Sequence, residues 1–341
     1  MKLARFEGCW TAMITPFTRK GEVDFEGLEK NIQFQIENRA HLVPTGTTGE
    51  SPTLDWREHD RVIGRTAKLA KDRAFVMAGT GSNSTKEAIR DTKHAVEVGT
   101  QSVLMIDCYY NGPSTLELRT QYYEPIAKMF RKTFVVPYII PGRTGTKMEV
   151  EDLAILHRHF KNVRSVKEAT ADLDRMAKTR SLCGEDFDIL SGDDDKTFDM
   201  IARRDIRASG VISVMSNIIP GPVDEMVKAL LDGNMARANE LKNVLDPLFK
   251  VVTVNTIESY EGFEVPCKFR NPLAVKTMMK GLGMPSGPCR RPLGKMTPKG
   301  MDVVRNALKK AYEMDRDVLM PIQKFYKVNI EERLSDDRYW K

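Results

Sequence analysis

The feature that most narrows what this chain can become is an alternation repeated eight times, in which a short apolar run of strand length is followed by a segment of helical period. Strand-like runs fall near Cys9 to Phe17, His41 to Pro44, Ala74 to Ala78, Ser102 to Ile106, Phe134 to Ile140, Val163 to Lys167, Phe187 to Leu190 and Gly210 to Val214. Amphipathic segments follow them near 25 to 37, 56 to 71, 84 to 98, 115 to 131, 149 to 160, 172 to 182, 195 to 204 and 222 to 232. Eight such units in about 230 residues, with no linker between them, predict an α/β chain whose residues 1–233 close into a (β/α)8 TIM barrel. After residue 233 the pattern changes to helix only, with periodic segments near 234 to 252, 271 to 281 and 298 to 314 separated by Gly/Pro-rich turns. This predicts a C-terminal helical appendage over 234–319. The extension 320–341 carries Tyr326, Tyr339 and Trp340 among charges and has two readings, docked on a partner subunit or frayed.

Composition excludes several functions. A hydrophobic share of 41% in 341 residues suffices for a large core. The net charge of +6 arises from 53 basic and 47 acidic residues dispersed along the chain, a pattern that argues against a nucleic-acid partner. Five cysteines, widely spaced and without a CxxC pair, read as free thiols of a reducing compartment. The start is charged and no stretch approaches membrane-spanning length, so a cytoplasmic protein with no membrane partner is expected.

A TIM barrel carries its active site at the C-terminal ends of its strands, and here those ends are polar. Strand six ends at Lys167, just before Glu168. Low dielectric at the mouth of a buried strand disfavours the charged form of a lysine and lowers its pKa to about 7 or 8, making a nucleophilic amine suited to Schiff-base formation. The other reading of Lys167 is a strand-end lysine that snorkels to water or pairs with Glu168. Strand two ends in Thr45-Gly46-Thr47-Thr48-Gly49-Glu50-Ser51, where glycines let backbone N–H groups and hydroxyls approach an anion. A plain capped turn fits the same residues. Strand four ends in Asp107-Cys108-Tyr109-Tyr110-Asn111, strand five carries Tyr138 before Pro141-Gly142-Arg143, and strand seven ends in Ser191-Gly192-Asp193-Asp194-Asp195.

Together these residues resemble the pyruvate-dependent class I aldolase family that contains dihydrodipicolinate synthase and N-acetylneuraminate lyase. The resemblance runs from about Gly8 to about Leu308. It rests on Thr-Ala-x-x-Thr-Pro-Phe (Thr11 to Phe17), Gly-Thr-Thr-Gly-Glu-Ser (Gly46 to Ser51), Ala-Gly-Thr-Gly-Ser-Asn (Ala78 to Asn83), Tyr-Tyr-Asn (Tyr109 to Asn111), Arg-Thr-Gly (Arg143 to Gly145) and Val-Lys-Glu-Ala-Thr (Val166 to Thr170). Asn-Pro-x-x-Val-Lys (Asn271 to Lys276) and Arg-Pro-Leu (Arg291 to Leu293) extend it.

The resemblance implies that Lys167 forms an imine with pyruvate and that Tyr138 shuttles protons. Thr47 would link Tyr138 to Tyr110, which in the family comes from a neighbouring subunit, and a homo-oligomer built as a dimer of dimers would follow. Thr47 and Thr48 would hold the pyruvate carboxylate, with Gly192 and Ile212 lining the pocket. Arg143 resembles the arginine with which dihydrodipicolinate synthases bind the carboxylate of L-aspartate 4-semialdehyde. The implied reaction is condensation of the two substrates to 4-hydroxytetrahydrodipicolinate, the first committed step of lysine biosynthesis, with no cofactor and no metal. The alternatives are a pyruvate-releasing lyase acting on a 2-keto-3-deoxy sugar acid or N-acetylneuraminate, and a catalytically silent homologue that binds pyruvate or lysine. Ser51, Trp56, His59, Asn83, Glu87 and Tyr109 match positions that bind the lysine effector in feedback-inhibited members.

Departures from the family pattern include Ile139 beside the tyrosine where a polar side chain is common, and Ala171 where glycine is usual. Other signals carry little. Gly79-Thr80-Gly81 lacks the third glycine of a dinucleotide fingerprint. His157 and His159 diverge on a helix, and the aspartates after strand seven are a weak case for Mg²⁺ beside a Schiff-base lysine.

Overall fold

The computed structural model describes residues 3–341. Eight short parallel strands form one sheet: β1 (Gly8–Ala12), β2 (His41–Val43), β3 (Met77–Gly79), β4 (Ser102–Ile106), β5 (Phe134–Ile139), β6 (Ser165–Glu168), β7 (Asp188–Ser191) and β8 (Gly210–Ser213). β1 pairs with both β2 and β8. The remaining strands follow in sequence order, and a parallel bridge from Leu42 to Val76 brings β2 to β3 and closes the barrel.

The two faces of each strand divide two cores, as a period of two requires. Trp10, Leu104, Val136, Leu190 and Ile212 fill the barrel. Their neighbours Cys9, Val103, Val135, Ile189 and Val211 face outward and pack under the helices. Helices occupy the expected places, Phe25–Glu37 among them, and the Asp55 and Glu58 side chains form a capping box at the start of Trp56–Ala70.

Some boundaries differ for physical reasons. The first strand stops at Ala12 although residues 13–17 stay buried, because the Ile14 N–H turns to the Asn217 side chain instead of a neighbouring strand. The segment 115–131 breaks into a turn at Thr115–Glu117, a π-helix at Leu118–Tyr123 and an α-helix at Glu124–Met129. The wider π turn lets the consecutive residues Tyr122 and Tyr123 both point inward, the first bonding Ile106 O and the second Asp107 Oδ1.

The helix-only expectation beyond residue 233 is wrong at one place. β9 (Val254–Tyr260) and β10 (Phe263–Phe269) form an antiparallel hairpin between the helices Met235–Phe249 and Leu273–Leu282. Its two-residue turn, Glu261-Gly262, has positive φ at both positions (49° and 84°), the geometry that matches strand twist in tight hairpins. The alternation was easy to miss because Ile257, Tyr260, Phe263 and Val265 are exposed, so no buried stripe marks the strands. The extension neither frays nor awaits a partner to be ordered. Phe325 and Tyr326 pack on Phe34, and Arg305 donates to Leu334 O and Asp337. Trp340 lies over Gly281, where an added Cβ would come within 2.5 Å of its ring.

Candidate active site

Adjacent strands place the two central residues side by side. Tyr138 of β5 and Lys167 of β6 are register partners. The Lys167 Nζ lies 4.0 Å from the centroid of the Tyr138 ring. Glu168, the next residue along β6, faces the opposite side, where Arg175 Nε donates to it at 3.2 Å. The pairing of Lys167 with Glu168 therefore does not occur, since alternation sends neighbouring side chains apart. Among the described residues Lys167 makes no hydrogen bond and no ion pair, although it is 95% removed from solvent (5% exposed).

That isolation sets its charge. Burial pulls the Lys167 ammonium down to about 8, the carboxylates of Asp193 and Asp194 oppose the shift, and the Arg143 guanidinium adds to it. A sizeable fraction is thus neutral amine near physiological pH. Burial pushes the Tyr138 phenol above its ordinary value, while Arg143 and the Thr47 hydroxyl act the other way. Tyr138 is a protonated phenol beside an amine, poised to donate first.

The loop after β2 is shaped to take an anion. Thr45 and Glu50 adopt left-handed backbone (φ 55° and 56°). The Gly49 and Glu50 N–H groups bond within the loop, to Gly46 O and Thr47 O. Those of Thr47 and Thr48 donate to nothing among the described residues and remain available. Gly79 ends β3 under this loop, and a Cβ there would sit 2.4 Å from Thr45 O.

A segment that carried a motif but no assigned role completes the site. Asn271 Nδ2 donates to Thr48 Oγ1 at 2.9 Å, and Arg143 donates to Asn271 O at 2.9 Å. Arg270 donates in turn to Gly142 O. The chain leaving β10 therefore ties the two sequence-predicted anion binders together.

A cavity of about 370 Å³ runs from Thr47, Tyr138 and Arg143 to Ser51, Trp56, His59, Glu87 and Tyr109. It joins two of the predicted catalytic residues, Thr47 and Tyr138, to most of the predicted effector set. Ser82, Asp91 and Leu54, which the sequence did not single out, also line it. Asn83 lies outside the wall, next to Ser82. Lys167, Thr48, Gly192 and Ile212 are also outside it, and Lys167 touches the wall through Tyr138. Gly192 packs where a Cβ would meet Ala169 Cβ at 2.6 Å, and Ile212 contributes to the interior core. Tyr110 is 93% exposed at the tip of the loop after β4 and is not brought to Thr47 within one chain. Among the described residues His59, Asp60 and Asp91 could gather round a metal ion, but Arg90 already pairs with both carboxylates. Among the described residues no helix is long and apolar enough to cross a membrane.

Comparison with known proteins agrees with this geometry. Residues 5–311 match the model of the Dihydrodipicolinate synthetase family. The chain is 38% identical over 306 residues to the 4-hydroxy-tetrahydrodipicolinate synthase of Aquifex aeolicus (strain VF5), covering 89% of this chain and 97% of that protein. The crystal structure of dihydrodipicolinate synthase from Aquifex aeolicus superposes with a TM-score of 0.82 at 37% identity, covering 92% of this chain and 99% of that one. A lysine-bound dihydrodipicolinate synthase from Cyanidioschyzon merolae superposes with a TM-score of 0.81 at 31% identity, covering 90% and 99%. A closed barrel with an unpaired buried lysine beside a tyrosine, matched over nearly the whole length of these relatives, identifies the chain as a member of the dihydrodipicolinate synthetase family.

Proposed function

We propose that this protein is a lyase of the class I aldolase type that condenses pyruvate with L-aspartate 4-semialdehyde to 4-hydroxytetrahydrodipicolinate in lysine biosynthesis. The observation that carries the reading is the unpaired Lys167 amine against the Tyr138 ring. The amine attacks the keto carbon of pyruvate and the keto oxygen leaves as water, giving an imine with Lys167. Loss of a methyl proton gives the enamine, whose carbon attacks the aldehyde of the second substrate; the amino group of that substrate then attacks the imine carbon, closing the ring and expelling the Lys167 amine. Tyr138 supplies and recovers the protons, with Thr47 as the next hydroxyl in line. The imine is its own electron sink, so the steps call for no metal or organic cofactor.

The free N–H groups of Thr47 and Thr48 suit the pyruvate carboxylate, and Arg143 suits the carboxylate of the aldehyde substrate. Tyr110, exposed and held with φ 75°, would complete the relay from a neighbouring subunit, making the working enzyme at least a dimer and, by family analogy, a dimer of dimers. The far end of the cavity would take lysine as a feedback inhibitor. Glu87 offers an acceptor for an ammonium group, and the buried Nδ1 of His59 has no partner among the described residues. The relative with lysine bound supports this part of the reading. We place residues 1–233 as the catalytic barrel, 234–319 as an appendage and 320–341 as an extension, in a cytoplasmic protein.

The test is the initial rate with pyruvate and L-aspartate 4-semialdehyde, coupled to a downstream reductase. Cleavage of 2-keto-3-deoxygluconate and of N-acetylneuraminate is run alongside. Fast condensation, inhibited by added lysine and weakened by Arg143→Ala, is expected. Turnover of only a sugar acid would overturn the substrate assignment.

A further inference from the structure

A second cavity, about 590 Å³ in volume, lies beside the helix Leu273–Leu282 and the loop that follows it, and shares no lining residue with the first. Its size falls within the range of about 300–1,000 Å³ typical of small-molecule pockets. Leu273, Met296 and Met301 supply apolar wall. The polar part is of one sign: Arg19, Lys280, Arg291 and Lys295 line the cavity and no Asp or Glu does. Lys276 also lines it, but Glu50 holds that ammonium at 2.7 Å.

The other cations are not so held. Among the described residues the side chains of Arg19, Arg291 and Lys295 make no hydrogen bond or ion pair, and Lys280 donates only to the Lys341 carbonyl at 2.6 Å. They also feel one another. After burial, repulsion from Lys295 and Arg19 pushes the Lys280 ammonium below its ordinary value. All four side chains are exposed, so water screens their mutual repulsion, and an anion seated among them would gain from several cations at once. The apolar wall then selects for a ligand whose charged head is joined to an apolar body.

We propose that this cavity binds a small amphipathic anion, a molecule with an apolar ring or short branched chain carrying a phosphate or carboxylate head that Arg19, Arg291 and Lys295 hold. The probes are the fluorescent anion 1-anilinonaphthalene-8-sulfonate, titrated into the full chain, and phenyl phosphate as its competitor. One saturable site per chain is expected, displaced by phenyl phosphate and at least tenfold less readily by inorganic phosphate. Both probes should bind at least tenfold more weakly to the Arg291→Gln/Lys295→Gln variant and, on a separate loop, measurably more weakly to Arg19→Gln. Tyr260→Ser/Phe263→Ser, which trims the exposed hairpin, should leave binding unchanged. No saturable binding, binding unaffected by the Arg and Lys substitutions, binding lost with the hairpin variant, or displacement by inorganic phosphate as strong as by phenyl phosphate would each overturn the proposal.

Discussion

Two buried lysines, one at the mouth of the barrel and one at the seam where the C-terminal helices meet it, show how environment divides reactivity from support. Lys276 is 2% exposed and fully partnered: Glu50 accepts at 2.7 Å, and the carbonyls of Thr15 and Pro288 each at 3.0 Å. Lys167 is 5% exposed, and no group among the described residues accepts its protons. Both ammonium groups sit near an aromatic ring, at 4.3 Å from Phe17 and 4.0 Å from Tyr138. Burial lowers the pKa of both, and only at Lys276 does a bonded carboxylate oppose it directly. The partnered lysine pins the loop after β2 through Glu50, and the unpartnered one is free to react.

The comparison is broken most directly by exchanging what each lysine does. Lys167→Ala should lower kcat on the order of 10⁴-fold or more, as removal of a covalent nucleophile does, and leave the fold intact by circular dichroism. A variant retaining a tenth of the activity would end the nucleophile assignment. Lys276→Met should do the reverse. It strands the Glu50 carboxylate in the interior and should cost about 3–5 kcal/mol in urea unfolding, while Lys167 still reacts. Adding Glu50→Gln should recover most of that loss, and failure to recover would mean that the pair does not act as a unit.

The third test uses pH. The folded chain releases the Lys167 proton near 8 and the unfolded chain only near 10.5. Below about 8 the buried charge weighs on the folded state in full, and stability rises with pH between the two values because the unfolded chain then binds more protons. Lys167→Met, which removes the charge, should be more stable than the parent at pH 7 by up to about 3 kcal/mol. The gap should close toward pH 10.5 in unfolding curves taken across that range. A gap independent of pH would show that Lys167 has an ordinary pKa.

Smaller effects sharpen the picture around the reactive lysine. Arg143→Ala should raise KM for the aldehyde substrate about 10–100-fold, the worth of one charge-assisted contact, with KM for pyruvate little changed. Equal shifts in both would move Arg143 from the aldehyde to a general role. Smallest is Ala171→Gly. Ala171 follows the Lys167 strand with φ 57°, a left-handed conformation that costs an alanine about 1 kcal/mol. Replacement should stabilise the chain by about 0.5–1 kcal/mol, less any gain in unfolded-chain entropy, and a loss on calorimetry would refute the strain.

Legibility from sequence followed the range of the interactions. The eight strands were readable because each is a local run, which also placed Lys167 and Tyr138 at strand ends, while their roles came from the family resemblance. The hairpin escaped because its apolar residues face solvent, leaving only the Glu261-Gly262 turn as a signal. Asn271 was visible as part of a motif, but its bond to Thr48 joins residues 223 apart and no local pattern encodes it. The outer helix at 115–131 looked regular because a π turn leaves little trace in residue spacing. Tyr110 illustrates a further limit: it is 93% exposed, and the relay proposed for it would need a second copy of the chain.

We propose that the unpartnered lysine, and not the partnered one, is the nucleophile that captures the keto carbon of pyruvate. It is tested most directly by incubating the protein with pyruvate, reducing with borohydride and mapping the modified peptide by mass spectrometry. The account predicts one adduct per chain, on Lys167, forming faster as pH rises through about 8 and absent from Lys167→Ala. An adduct on Lys276, or pyruvate turnover with no trapped adduct at all, would contradict it.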